Sequence, residues 1–83
     1  MILEEKENTL KRLKIRSWRR GTKEMDLILG NFADGNLGSL SSFELETYDQ
    51  FLNENDNDLY AWCSEKIKVP EEYRHLIKKI MNN

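Results

Sequence analysis

The residues best suited to chemistry lie in one short run, Arg-Arg-Gly-Thr-Lys-Glu at positions 19–24. Arginine side chains donate planar, paired hydrogen bonds and a glutamate carboxylate accepts them, so the run offers a compact surface for polar recognition. Its glycine, Gly21, costs a helix about 0.5–1 kcal/mol relative to alanine, so we expect it to serve a purpose. That purpose is either a tight turn or the close approach of a partner to the bare backbone.

Residues that commonly catalyse reactions are few elsewhere. His75 is the only histidine and is expected on a helix surface, and Cys63, the only cysteine, is expected to be buried as a small hydrophobic residue. The acidic segment 54–58 lacks the pattern of a calcium-binding loop and suits a helix N-terminus better. No glycine-rich loop follows a strand, as a dinucleotide site requires. We therefore expect a protein that is not an enzyme and binds no cofactor or metal stably.

Charge is strongly segregated along the chain, although the formal net value over 83 residues is only −2. Residues 1–24 carry eight bases and four acids, residues 25–65 nine acids and no Lys or Arg, and residues 66–83 five bases and two acids. The first segment favours an alternative function, a small regulatory module that binds nucleic acid or acts in a toxin–antitoxin-type interaction. The bases that would contact phosphates in that case are Lys11, Arg12, Lys14, Arg16, Arg19, Arg20 and Lys23. The acidic middle segment argues against binding of nucleic acid.

The elements that must position these residues are all helical. No segment alternates apolar and polar residues over the length of a strand, and the one proline is Pro70. We expect a single small domain over residues 1–83, folded as a compact all-α five-helix bundle. The first two predicted helices run from about Leu3 to Ile15 and from about Arg20 to Ala33. The other three are predicted from their start signals: a capping box of Ser41 and Glu44, the acids of segment 54–58, and Pro70 in the first turn.

Apolar residues recur at the spacing of one buried face in each predicted helix. Trp18 and Tyr60 lie beside these faces and are the expected surface aromatics, and Gly35 and Gly38 are expected in the loop after the second helix. The predicted core consists of Leu3, Leu10, Leu13, Met25, Ile28, Leu29, Phe32, Leu45, Tyr48, Phe51, Leu52, Leu59, Trp62, Cys63, Tyr73, Leu76, Ile77 and Ile80.

The cellular setting is indicated by three further features of the sequence. A single cysteine forms no intrachain disulfide, which is typical of a reducing compartment. No apolar run approaches the roughly 18 residues of a membrane span. The N-terminus lacks the apolar core of a signal peptide, and its early glutamates are atypical of a mitochondrial presequence. We therefore expect a cytoplasmic protein without direct membrane insertion.

Two motifs resemble those of a known family. They are Arg20-Gly21-x-x-Glu24 with its continuation Met25-Asp26-Leu27, and, about thirty residues later, Asp58-Leu59-Tyr60-x-Trp62. Together they resemble the SdhE-type FAD assembly factors, the bacterial relatives of mitochondrial succinate dehydrogenase assembly factor two. The resemblance runs from about Leu10 to Trp62.

The resemblance implies a five-helix bundle that acts on another protein. Family members bind the flavoprotein subunit of succinate dehydrogenase, or of the related fumarate reductase, and promote covalent attachment of FAD to a histidine of that subunit. The FAD therefore belongs to the partner, and the factor itself is expected to be a monomer. Within this chain the resemblance places Arg20, Gly21 and Glu24 against the partner, with Arg16, Met25 and Asp26 as neighbours.

The role of Glu24 has two interpretations at this point. If a helix continues through the motif, Glu24 lies one turn after Arg20 and is able to hold its guanidinium by an i,i+4 pair. Alternatively, the carboxylate reaches the partner directly.

Overall fold

The computed structural model describes residues 5–82, and over this range the chain is the predicted all-α bundle with five α-helices. The connections between helices are short, and a single 3₁₀ turn, Leu37–Ser39, follows the second helix. The helices are α1 (Lys6–Trp18), α2 (Lys23–Asn36), α3 (Ser42–Phe51), α4 (Asp56–Cys63) and α5 (Glu71–Met81).

Local capping signals define where the later helices begin. The capping box at α3 is confirmed, because the Ser41 hydroxyl accepts from the Glu44 N–H at 3.1 Å and the Glu44 carboxylate accepts from the Ser41 N–H at 2.9 Å. Asn55 caps α4 by accepting from the Asp58 N–H at 2.9 Å. Pro70 stands one position earlier than predicted, as the extended residue before α5.

The first two helices have different bounds from those predicted. The chain leaves α1 only after Trp18, not at Ile15, while the predicted start at Leu3 lies outside the described residues. α2 begins at Lys23, not at Arg20, because Gly21 adopts a φ of +107° that a right-handed helix excludes.

α2 also ends later than predicted. It continues through Gly35 to Asn36 instead of stopping at Ala33. One glycine costs a helix only about 1 kcal/mol, which the burial of Ala33 and Leu37 offsets.

The predicted core residues pack into one cluster that all five helices share. Within the described chain each of them is buried except Leu10 and Ile28, which are partly buried and pack against the cluster. Tyr48 lies at the centre, with its ring centroid 5.6 Å from that of Phe32 and 6.2 Å from that of Phe51. The contact between Phe32 and Tyr48 joins α2 to α3.

A buried hydrogen-bond chain ties α1 to this cluster. The Ser17 hydroxyl donates to the Leu13 carbonyl at 2.7 Å, so it accepts from the Tyr48 hydroxyl at 2.6 Å. Burial raises the pKa of Tyr48 to about 12, which keeps this phenol in its donating form. Ser17 is fully buried, a placement that the apolar spacing of α1 did not predict.

The close crossing of α1 and α2 depends on Gly30. The indole of Trp18 lies directly over this glycine, and a Cβ built at Gly30 would overlap the ring carbons. The indole Nε1 donates to the Asp34 carboxylate at 3.1 Å. Trp18 is therefore half-buried in a helix contact, whereas the sequence predicted a surface aromatic; Tyr60, the other expected surface aromatic, is 40% exposed.

Gly30→Ala should lower the free energy of unfolding by about 1–3 kcal/mol, because the added methyl group displaces the Trp18 ring. Gly35→Ala is the matched control in the same helix, since a Cβ there meets nothing within 4 Å. This control should be neutral or stabilising by up to about 1 kcal/mol. Urea unfolding of both variants measures the difference, and equal stabilities would contradict the close Trp18–Gly30 contact.

Candidate partner-binding site

The Arg20 side chain joins separate segments of the protein by three hydrogen bonds, which we call the Arg20 clamp. Its Nε donates to the Asp56 Oδ1 at 3.0 Å, and its two terminal nitrogens donate to the carbonyls of Leu52 at 2.6 Å and Glu54 at 2.9 Å. Only 11% of the side chain is exposed. Because Leu52 is the C-cap of α3 and Asp56 is the first residue of α4, the cation lies between the negative end of one helix and an acid at the start of the next.

The backbone around Arg20 is fixed as firmly as its side chain. The Arg20 N–H donates to the Asp26 carboxylate at 2.6 Å, and Thr22 caps α2 by accepting from the Met25 N–H at 3.3 Å. Between these bonds Gly21 takes its φ of +107°, a conformation that L residues rarely adopt. The first of the two uses expected for the glycine, a tight turn, is therefore confirmed.

Gly21 is also exposed, so its main chain faces solvent. A Cβ at this position would meet only Asp56 Oδ2, at an ordinary contact distance of 3.5 Å. The requirement for glycine is thus conformational, and the space outside the turn is open to another molecule.

Glu24 is the exposed acid of the motif, and Lys23 beside it is an exposed base. The interpretation that it holds Arg20 by an i,i+4 pair is wrong, because Arg20 precedes the helix and its guanidinium points to Asp56 and the end of α3. Within residues 5–82 the Glu24 carboxylate has no hydrogen bond or ion pair. Its acceptor oxygens are therefore available to a partner.

The neighbours implied by the resemblance support the motif from within the protein. Met25 is fully buried, so its side chain is not available to a partner in this conformation and instead belongs to the hydrophobic core. Asp26 is half-buried against the Arg20 backbone. Arg16 donates to Asp49 at 2.6 Å and to Asn53 at 2.8 Å. Of the residues expected to meet a partner, only Gly21 and Glu24 are both exposed and unengaged.

Sequence reasoning missed the contact of Asp56 with Arg20. Asp56 was expected only to favour the start of a helix, yet it also holds Arg20 across a separation of 36 residues. Tyr60 lies one helical turn after Asp56 on α4 and is 40% exposed, with the Lys66 ammonium 5.6 Å from its ring. The only local signal for either residue is their place in or beside the second motif.

Three bases of α1 pair with acids from the middle segment of the chain. Arg12 binds Asp49 through both terminal nitrogens, at 3.1 and 3.0 Å, and Lys14 lies 3.8 Å from Asp34. Of the seven bases that suggested phosphate contacts, five are paired with carboxylates: Lys11, Arg12, Lys14, Arg16 and Arg20. This pairing leaves less free charge for nucleic acid than the sequence suggested.

Cys63 and His75 lie on different helices, α4 and α5. Burial raises the pKa of Cys63 to about 11, so its sulfur is a thiol at neutral pH and not a nucleophilic thiolate. His75 is exposed on α5, as predicted. Among the described residues, no three His, Cys, Asp or Glu side chains are grouped to hold a metal ion. None of the helices in this part of the chain has the length and apolar character needed to cross a membrane.

Comparison with known proteins identifies the family of this chain. The model of a family described as flavinator of succinate dehydrogenase matches residues 11–83. The chain belongs to this family. The match includes Arg20 and its acceptors, Gly21, Glu24, the second half of α1 and all of α2 to α5, so the resemblance drawn from the two motifs is confirmed.

Relatives that are named succinate dehydrogenase assembly factor 2, mitochondrial, come from several eukaryotes. The chain is 35% identical over 81 residues to the one from Dictyostelium discoideum, which covers 98% of this chain and 57% of the relative. It is 39% identical over 71 residues to that from Schizosaccharomyces pombe, covering 86% and 51% of the two chains. The chain thus spans about half the length of these curated relatives.

Arg20→Ala should lower the free energy of unfolding by about 2–3 kcal/mol, because it leaves Asp56 and two carbonyls without their donor. Arg19→Ala is the matched control. The Arg19 side chain is exposed, and no described residue holds it, so its loss should cost less than about 0.5 kcal/mol. Denaturant titrations of both variants test the assignment, and similar losses would show that Arg20 is not a clamp.

The ion pairs of Asp49 predict how stability depends on pH. Its hydrogen bonds to Arg12, assisted by the charges of Arg12 and Arg16, hold the pKa of Asp49 below 3.8. The pKa of Asp49 is lower in the folded state than in the unfolded state. The stabilisation is therefore fully present above about pH 4 and is lost as the pH falls through the folded-state pKa. Asp49→Asn should therefore destabilise the protein at pH 7, and the difference from the unmodified chain should shrink toward pH 2.5. Urea midpoints across this range measure it; a constant difference would contradict the prediction.

Proposed function

We propose that this protein is an assembly factor that binds the flavoprotein subunit of succinate dehydrogenase, or of the related fumarate reductase. In this proposal it promotes covalent attachment of FAD to a histidine of that subunit. The observation that carries the proposal is membership of the flavinator family across the residues that build the turn around Gly21.

The geometry of the turn supports a docking role. Gly21 presents bare main chain and Glu24 presents free carboxylate oxygens, and both are exposed on a surface that the Arg20 clamp holds rigid. A partner is able to pack directly against the glycine backbone, because no side chain stands there. A cation or N–H group of the partner would complete the free carboxylate.

We further propose that the factor acts by positioning and performs no catalysis of its own. In that case its binding energy favours a flavoprotein conformation in which the FAD and the acceptor histidine are aligned. The FAD is the partner's, and the factor binds no cofactor stably. The inert thiol of Cys63 and the exposed His75 on a separate helix are consistent with this division of roles. We place the factor in the cytoplasm as a monomer.

Glu24→Lys tests the docking surface more cleanly than a change at Gly21, where any side chain would also strain the backbone. Co-expression of the flavoprotein subunit with the unmodified factor should raise its covalent flavin, measured by in-gel fluorescence after denaturation. Glu24→Lys should abolish most of this increase, because the charge at the docking surface is reversed. Its thermal melt should stay within a few degrees of that of the unmodified chain.

Glu46→Lys is the matched control for this experiment. Glu46 is another exposed helical glutamate, on α3, and has no partner among residues 5–82. This variant should support flavin attachment like the unmodified factor. An unmodified factor that leaves covalent flavin unchanged would overturn the proposed function, whereas a fully active Glu24→Lys variant would overturn only the assigned surface.

A further inference from the structure

The exposed part of the motif is too small to hold a protein partner by itself. Stable complexes bury about 800 Å² on each partner, usually around a few apolar or aromatic anchors. Gly21 offers only main chain, Glu24 is a single polar side chain, and Met25 is buried. A partner seated on the glycine turn must therefore continue onto neighbouring surface.

A shallow groove, lined mostly by apolar side chains and widely open to solvent, begins one turn further along α2. Its walls are Leu27 and Ile28 on α2 and Ile80 and Met81 on α5, with Asn31 at one side, and its volume is about 220 Å³. Leu27 is 45% exposed and Met81 is 47% exposed, although both are large apolar side chains. Exposed apolar side chains that share one groove are typical of a binding surface.

The groove is continuous with the motif because of helical spacing. Leu27 and Ile28 follow Glu24 by three and four residues, so all three side chains lie along one stripe of α2. The rise between Glu24 and Leu27 is only about 4.5 Å along the helix axis. One surface segment of a partner is therefore able to reach both the carboxylate and the groove.

We infer that this groove receives a large apolar side chain of the same flavoprotein partner, next to a cation or N–H donor that binds Glu24. The inference rests on the proposed function and adds an apolar half to the polar docking surface. It assigns Leu27 and Met81 as partner-contacting residues. Met81 suits this role, because the flexible thioether of methionine adapts to the shape of the group that packs against it.

The partner is a better occupant than a second copy of this chain. A self-association site would need enough complementary apolar surface near the groove, but the stripe continues instead to the unpaired carboxylate of Glu24 and to Asn31. A surface that changes from apolar to acidic over one helical turn fits a partner segment that places a cation or N–H donor next to an apolar side chain.

The test measures binding of the purified flavoprotein subunit to Leu27→Gln and Met81→Gln by calorimetry. Each variant should weaken binding about tenfold or more, because an apolar anchor is replaced by a polar side chain of similar length. Phe43→Gln is the matched control. Phe43 is 75% exposed, and it lines a separate recess beside Glu72 and His75, toward the other end of α5. Circular dichroism melts confirm that all three variants fold.

The outcomes distinguish a failure of this inference from a failure of the proposed function. Weaker binding of both groove variants with an unchanged Phe43→Gln supports it. Normal binding of both groove variants, or an equal loss with Phe43→Gln, overturns the groove while the docking of Glu24 stands. If the unmodified chain fails to bind the flavoprotein, the proposed function and the inference both fail. Sedimentation of the free chain as a dimer that Leu27→Gln disperses would assign the groove to a second copy and overturn the inference.

Discussion

The hydrogen bonds of Arg20 are the interaction on which the rest of the surface depends. The guanidinium joins the start of α2 to the end of α3 and the beginning of α4, so three helices meet at one buried cation. Two of its acceptors are main-chain carbonyls at and just beyond the end of α3, which would otherwise need another donor. The clamp fixes Arg20, the residue before Gly21, and the residue after Gly21, Thr22, is fixed as the N-cap of α2. The left-handed turn is therefore held from both sides.

The same principle organises the charges of the whole molecule. A basic first segment and an acidic middle segment look like two opposed surfaces in the sequence, but folding places them against each other. Arg12 and Arg16 share Asp49, and Arg20 takes Asp56. Several of these pairs are only partly exposed, so they restrict how α1 sits on α3 more than exposed pairs would. Within the run at residues 19–24, the charged side chains of Arg19, Lys23 and Glu24 stay unpaired among the described residues.

Local signals allowed the helices and the core to be predicted, because capping and apolar spacing act over a few residues. Ser41 with Glu44 and the buried face of α5 are clear examples. The contacts that shape the site act over long separations and leave no such pattern. Nothing near Arg20 indicates that its acceptors lie more than thirty residues away. The motif at residues 20–24 indicated the candidate site from the sequence, but the exposure of Gly21 and Glu24 and the internal contacts of Arg20 could be read only from the fold.

The proposed function requires a surface that is rigid where it contacts the partner. Any freedom lost on binding would reduce the energy available to favour one conformation of the partner over another. Gly21 is the most flexible residue type, yet here it is placed between the clamp and a helix cap, so its conformation is already restricted before a partner arrives. Further along α2, the indole of Trp18 packs directly on Gly30 and adds a close contact between α1 and α2. The bare backbone of the glycine is thus presented without the entropic cost that an exposed glycine loop would carry.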